Sequence, residues 1–335
     1  MSDHEFTPTE PVEDDGLVFA AMLSGNGSAE LVGWDVVEAW SEGDGPMWIH
    51  LDRGNEKAQT WLRNQSGLTM QTADALLTEE TRPRVFFGKR GTVTVLRGLN
   101  SNAGQKSEDM VALRIWSEGH RIITLRDERL QSVRDVLASL LDFGTGPRTI
   151  PETYVKLVAR VNERIVPTVT AYEEQIDEIE ENLSEAELRK TRKALVDLRR
   201  KAVLVRRYLA PQRAALEDLA AEPPGWASET WRPELRETSD RVVRLVEALD
   251  VVKERALVVK DDIANDVAES TNRTLYILAM ISAVFLPLSF LTGLLGINIG
   301  GMPGVESDSA FWIFCAIMVV VLAAEIAIFK FLKWF

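Results

Sequence analysis

Two long uncharged runs near the C-terminus constrain this chain more than any other feature. From Leu275 to Leu295 there is no Asp, Glu, Lys or Arg, and from Phe311 to Phe329 the only charged residue is Glu325. Each run is about 20 residues, the length of helix that crosses a bilayer core of about 30 Å. Lipid offers the backbone no hydrogen-bond partner, so each run must satisfy its own amides and carbonyls as a helix. Aromatic residues at the ends (Tyr276, Trp312, Trp334) suit the boundary between lipid and water. The expectation is a transmembrane hairpin with spans at about 275–297 and 311–331. A buried core helix is the competing reading, and two such runs in succession weigh against it.

The charge is segregated accordingly. Within residues 271–335, Arg273, Lys330 and Lys333 cancel Glu306, Asp308 and Glu325, so the net −13 of the 335-residue chain lies wholly in residues 1–270. An acidic balance disfavours nucleic acid as a partner, because that binding rests on Lys and Arg contacts to phosphate. One cysteine, Cys315, excludes a disulfide framework, and three histidines leave little for a histidine-rich metal centre. No nucleophile–base pair, phosphate loop or metal-ligand cluster is visible, so no enzyme is expected and no cofactor is implied. The loop from Asn298 to Ala310 has no Lys or Arg, whereas Arg273, Lys330 and Lys333 flank the other ends of the spans. The positive-inside rule then places both termini in the cytoplasm and the loop outside the cell membrane. Residues 1–16 are polar and acidic, unlike a signal peptide, and read as a disordered tail.

Residues 17–150 read as a mixed α/β domain. Short apolar or alternating runs predict strands at Leu17–Leu23, Met47–Asp52, Val85–Phe87, Thr92–Arg97, Val111–Trp116 and Arg121–Arg126. Helices are expected at Glu56–Gln65, Thr72–Glu80 and Leu130–Leu141. His50 and Asp52 share a strand face, but a metal or catalytic role needs a third partner that the sequence does not supply. Both they and His120 are read as structural.

After Gly144-Thr145-Gly146-Pro147 the pattern turns helical, giving a long-helix stalk over residues 151–270. Tyr172, Ile176, Ile179 and Leu183 recur at helical spacing. Ser184-Glu185-Ala186-Glu187 is a capping-box sequence opening a helix with the stripe Leu188, Leu195, Leu198, Ala202, Val205 and Leu209. Pro223-Pro224-Gly225 closes that pair. The longest stripe follows: Val242, Leu245, Leu249, Val252, Ala256, Val259, Ile263 and Val267. Neither Gly nor Pro interrupts the chain between Leu235 and Leu286, which predicts one helix from about Glu234 into the first span, about 95 Å long up to Asn298. Its acidic residues (Asp250, Glu254, Asp261, Asp262, Asp266, Glu269) either solvate an outer face or line a passage attractive to cations.

One face of the first span differs from the rest. Asn272, Leu275, Ala279, Ser282, Leu286, Ser289, Gly293 and Gly296 recur at steps of three and four and are small or polar for the most part. The opposite face carries Ile277, Met280, Val284, Leu288 and Leu295. Small and polar residues serve either helix packing or a pore. Two spans cannot enclose an aqueous path, so a pore needs several chains. Leu275 and Leu286 would then be hydrophobic constrictions, and Ser289 and Asn298 polar rings. The stripe has no Asp, Glu, His or Cys, so it suits a cation that keeps most of its water. Glu325, the one ionisable residue deep in a span, is a functional candidate by default; snorkelling or pairing with a neighbouring subunit are the alternatives.

The span ends in Thr292-Gly293-Leu294-Leu295-Gly296-Ile297-Asn298, followed by Ile299-Gly300-Gly301-Met302-Pro303-Gly304. Gly296-Ile297-Asn298 resembles the Gly-Met-Asn signature of the CorA family of divalent-cation transporters. Its place at the end of the first of two C-terminal spans, the Phe285-Leu286-Pro287-Leu288-Ser289-Phe290 context and the long preceding helix match as well. Ile297 replaces the family's Met, and with the residues after it looks like the zinc-transport branch, ZntB. The resemblance implies a homopentamer in the inner membrane, with a funnel-shaped cytoplasmic domain and a central pore lined by the first spans. It implies Asn298 at the outer mouth holding a hydrated cation and Gly296 allowing close backbone approach. Asn272, Leu275, Leu286 and Ser289 would line the conduit, and Glu306 and Asp308 would form an acidic loop that concentrates cations. Zinc is the expected cargo, with magnesium, cobalt or nickel as alternatives. The branch also implies proton-driven uptake, for which the stripe itself offers no titratable group. A magnesium or cobalt channel of the same fold and a non-conducting membrane-anchored scaffold or sensor are the other readings.

Overall fold

The computed structural model describes residues 13–79, 82–102, 104–106, 108–182, 188–227, 229–297 and 307–331. These divide into two compact units, 1–260 and 261–335.

The first unit is built on a seven-stranded sheet. Its strands are β1 (Leu17–Leu23), β2 (Ala29–Val32), β3 (Met47–Asp52), β4 (Arg84–Phe87), β5 (Thr92–Gly98), β6 (Val111–Ser117) and β7 (Arg121–Arg126). They lie in the order β2-β1-β3-β7-β6-β5-β4. All neighbours are antiparallel except β3 and β7, which run parallel with Ile49 opposite Ile123. The turn at Gly119 joins β6 to β7 at φ +97°, a conformation that glycine adopts without Cβ strain.

Helices cover both faces of the sheet. α1 (Trp34–Ala39), α2 (Glu56–Asn64) and α3 (Met70–Leu77) pack one side, where Trp34, Trp61, Leu62 and Leu76 meet Ile49, Leu51, Val93 and Val95. The other face is closed by α5 (Ile150–Glu163) and α7 (Leu188–Ala221), with α4 (Gln131–Leu141) packed on α5. Thr94 and Tyr154 join β5 to α5 through their hydroxyls at 2.5 Å. Covering on both faces explains why β3, β5, β6 and β7 are almost wholly buried.

The expected strands all form. Sequence periodicity missed β2 and α1, both short and partly exposed. α6 (Val166–Glu181) follows α5, and its Tyr172 and Ile176 are buried. Leu183 and the Ser184–Glu187 capping sequence lie outside the described residues. Along α7, Leu195, Leu198, Ala202, Val205 and Leu209 are all buried as the stripe predicted, and Pro211 is accommodated inside the helix.

α8 runs from Arg232 to Leu295 as one helix of 64 residues. Val242, Leu245, Leu249, Val252, Ala256, Val259 and Ile263 are buried, but Val267 is exposed, so the coiled-coil-like stripe ends one step early. Ion pairs bind α8 to the other helices of the first unit: Arg206–Asp250 at 2.7 Å, Arg255–Asp177 at 2.7 Å and Arg241–Glu163 at 3.2 Å. α9 (Ala310–Phe331) is the remaining helix.

Candidate functional site: the two apolar helices

Two helices are long and apolar enough to cross a membrane, α8 through its C-terminal part and α9. In neither is more than 6% of the most apolar window buried within the chain. A soluble core helix would hide that surface, so its exposure fits a lipid-facing segment.

The exposure is not uniform around α8. Met280, Ala283, Val284, Leu288 and Leu291 are half-buried, at helical spacing. A matching stripe runs along α9: Phe314, Cys315, Met318, Val321, Leu322, Glu325 and the buried Phe329. The described part of the second unit consists mainly of these two helices, so each stripe is the side turned toward the other helix. At about 100° per residue, the covered stripe of α8 and the small-residue stripe centre on directions about half a turn apart. Every described member of the latter is exposed: Asn272, Leu275, Ala279, Ser282, Leu286, Ser289, Gly293 and Gly296. Leu286 is 73% exposed and Leu275 57%. Of the residues expected opposite the stripe, Met280, Val284 and Leu288 are covered, whereas Ile277 and Leu295 are not.

Helix α8 passes through Pro287 unbroken, although the proline leaves the Ala283 carbonyl without its usual amide donor. It was expected to continue to about 297 and stops at Leu295. The Gly296 amide makes the last bond of the turn, to the Thr292 carbonyl at 2.9 Å. A Cβ at Gly296 would sit 3.0 Å from that carbonyl oxygen, so the close approach here is to the helix's own backbone. Gly293 has open space where a Cβ would be. Ile297 and Asp308 are exposed, while Asn298, the segment to Gly304 and Glu306 lie outside the described residues.

The charged residues of α8 fall into two groups. Asp250 is engaged, accepting from Arg206 and from Lys253 at 2.8 Å, and these donors hold its carboxyl below the usual carboxylate range. Glu254, Asp262, Asp266 and Glu269 are exposed.

His50 and His120, both read from the sequence as structural, have neighbours within the first unit. His50 is buried on β3, with Nδ1 2.8 Å from the Thr124 hydroxyl. That hydroxyl also accepts from the Trp48 indole at 2.9 Å and donates to the Ile49 carbonyl at 3.1 Å. Its single proton is therefore used, and His50 Nδ1 carries the other. Burial, helped by the Arg126 charge, pushes the imidazole down to about 3, so it is neutral. His120 lies in its turn 3.3 Å from Glu42. Among the described residues, no three His, Cys, Asp or Glu side chains converge on a point that could hold a metal.

The sequence of residues 43–330 matches the family described as CorA-like Mg2+ transporter protein. This chain belongs to the CorA family. It is 37% identical to the divalent cation transporter CmaX of Pseudomonas aeruginosa over 97% of this chain and 98% of that protein. It is 32% identical to the zinc transport protein ZntB of Yersinia enterocolitica, over 95% of each. The solved structure of full-length CmaX superimposes with a TM-score of 0.83 at 35% identity, covering 97% of this chain and 100% of that one. The mixed α/β region, the long helices and the two C-terminal apolar helices are thus an architecture shared with that CorA-family member.

Proposed function

We propose that this chain assembles into a homopentamer in the cell membrane and conducts divalent metal cations, zinc foremost, along a central path lined by α8. The stripe of α8 carries the reading. It is small and partly polar, points away from the half-buried face of the same helix, and is exposed in the single chain. An exposed stripe of this kind inside a membrane is suited to copies of the same helix around water. The relatives' names support the cargo, since one is a divalent cation transporter and one a zinc transport protein, each over 30% identical across nearly the whole chain.

In this reading Asn298 holds a hydrated cation at the outer mouth, with Gly296 and Ile297 beside it. Leu275 and Leu286 are the constrictions, with Asn272, Ala279, Ser282, Ser289 and Gly293 between and around them. Glu306 and Asp308 concentrate cations at the entrance, and both termini are cytoplasmic. The cation is cargo rather than cofactor, and no catalysis is involved. Residues 17–150 and 151–270 form the cytoplasmic domain and stalk, and residues 271–335 the membrane domain.

A magnesium or cobalt channel is the second reading, favoured by the Mg2+ in the family description and opposed by Ile297 in place of Met. Flux of zinc and of magnesium into liposomes holding the purified protein separates the two. Zinc flux above magnesium flux, reduced about tenfold or more in Asn298→Ala with the oligomer intact, is the expected result. Magnesium flux equal to or above zinc flux moves the assignment to the channel. No flux of either under any gradient leaves a non-conducting scaffold or sensor.

A further inference from the structure

A carboxyl group sits on the less exposed face of α9 without a hydrogen-bond partner among the described residues. Glu325 lies on the stripe of α9 that includes Leu322 and Phe329. Both carboxyl oxygens are closed to solvent, and neither has a hydrogen-bond partner among the described residues. Among the described residues its surroundings provide no countercharge; Lys333 lies outside them. α8 has no charged residue from Leu275 to Leu295, and the titratable or charged groups nearest in its sequence, Tyr276 and Arg273, are exposed. On α9 itself, Cys315 shares the covered stripe about three turns away. Lys330 is exposed, on a side of the helix to which the helical repeat does not bring Glu325.

An ionised carboxylate without water, cation or donor is strongly disfavoured in an apolar span, whereas the neutral acid has no charge to solvate. We propose that Glu325 is a proton-binding site of the hairpin. The proton stays on the carboxyl while α8 and α9 are packed as here. Its release requires a rearrangement that lets water reach the group; the O–H bond then breaks, the proton passes to that water, and the carboxylate becomes hydrated. One group thereby links proton binding to helix packing, and the linkage is reciprocal. The consequence for cation flux rests on the transport reading above; the proton site itself does not.

The first test needs no transport. The full-length protein in liposomes is exposed to dicyclohexylcarbodiimide, an apolar reagent that modifies protonated carboxyls within lipid, and the adduct is located by mass spectrometry. Modification of Glu325 should fall about tenfold or more from acid to alkaline pH and be absent in Glu325→Gln. No modification at any pH, as expected for a carboxylate paired with a basic residue of a neighbouring subunit, overturns the proposal, as does modification independent of pH. In the same liposomes, zinc flux should vary with pH in the wild type and much less in Glu325→Gln, which keeps the shape of the neutral acid. A flux profile unchanged by that substitution, or flat in the wild type, overturns the coupling. Wild-type liposomes that move no cation count against the transport reading and leave the modification result standing.

Discussion

Burying a whole guanidinium is costly, and Arg114 shows what offsets it. The side chain is 0% exposed in the middle of β6, with Nη1 2.7 Å from Asp127 and Nη2 donating to the Thr78 and Glu79 carbonyls at 3.0 and 3.1 Å. Asp127 is also gripped by Arg53, and although burial works against its charge, the two guanidiniums hold its carboxyl below the usual range. Arg114→Ala removes the fork, leaves Asp127 to Arg53 alone and takes the donor from two carbonyls, so it should cost about 2 kcal/mol or more. Arg114→Lys should recover only part, because one ammonium cannot serve both directions. Thermal unfolding of the detergent-solubilised variants measures both. His50 makes a separate prediction about pH. Its imidazole is neutral in the fold and titrates at about 3, against about 6.5 in an unfolded chain. The unfolded state therefore binds the extra proton between these values, and the stabilisation is complete above about pH 6.5 and lost as pH falls toward 3. The slope approaches about 1.4 kcal/mol per pH unit within that window. His50→Gln should flatten the acid limb of a stability–pH curve measured above pH 5 or so; an unchanged limb would assign it to the carboxylates alone.

At the scale of elements, legibility follows burial and length. β3, β6 and β7 are read from sequence because apolar residues run with few interruptions, and β5 because Thr and Val alternate along it. β2 and α1 are not, since four strand residues at a sheet edge and six helical residues are too short to display a period. Arg114 was equally invisible: nothing in Val111–Ser117 says that a loop many residues away will supply its acceptors. The stripe of α8 was legible as a pattern, but its direction was not, because a helix alone does not show which face its partner takes. The covered stripe on α9 and the half-buried Met280, Ala283 and Val284 supply that direction. It can be tested by placing single cysteines on α8 in a Cys315→Ser background. Ser282→Cys and Ser289→Cys should react with a polar thiol reagent at least about tenfold faster than Ala283→Cys or Val284→Cys, because the reactive thiolate forms where water reaches it. Equal rates on the two faces would remove the argument for the stripe as the conduit.

Across the whole molecule, the electrostatics divide at the membrane. The spans and their loop sum to zero, and the net −13 belongs to residues 1–270. Asp250, Asp127 and Asp135 each bind arginine and so add nothing to that excess. Ordinary solvation accounts for exposed acids such as Glu254 and Asp266 without a transport role. The stretch between the spans is different, because from Asn298 to Ala310 the sequence carries Glu306 and Asp308 and no Lys or Arg. In an assembly of several chains these carboxylates would repeat around the mouth and raise the local concentration of divalent cations. Such a field is screened beyond about 10 Å at 0.1 M salt and reaches about 30 Å at 0.01 M. Replacing Glu306 and Asp308 together with Gln and Asn should therefore raise the zinc concentration for half-maximal flux severalfold at low ionic strength and little at high. Maximal flux should be nearly unchanged, since the substitution alters arrival at the mouth and not passage through it. Initial rates in liposomes, measured over a range of zinc concentrations at both ionic strengths, separate the two effects; a half-saturating concentration that ignores the substitution at low salt would take the loop out of the entry path.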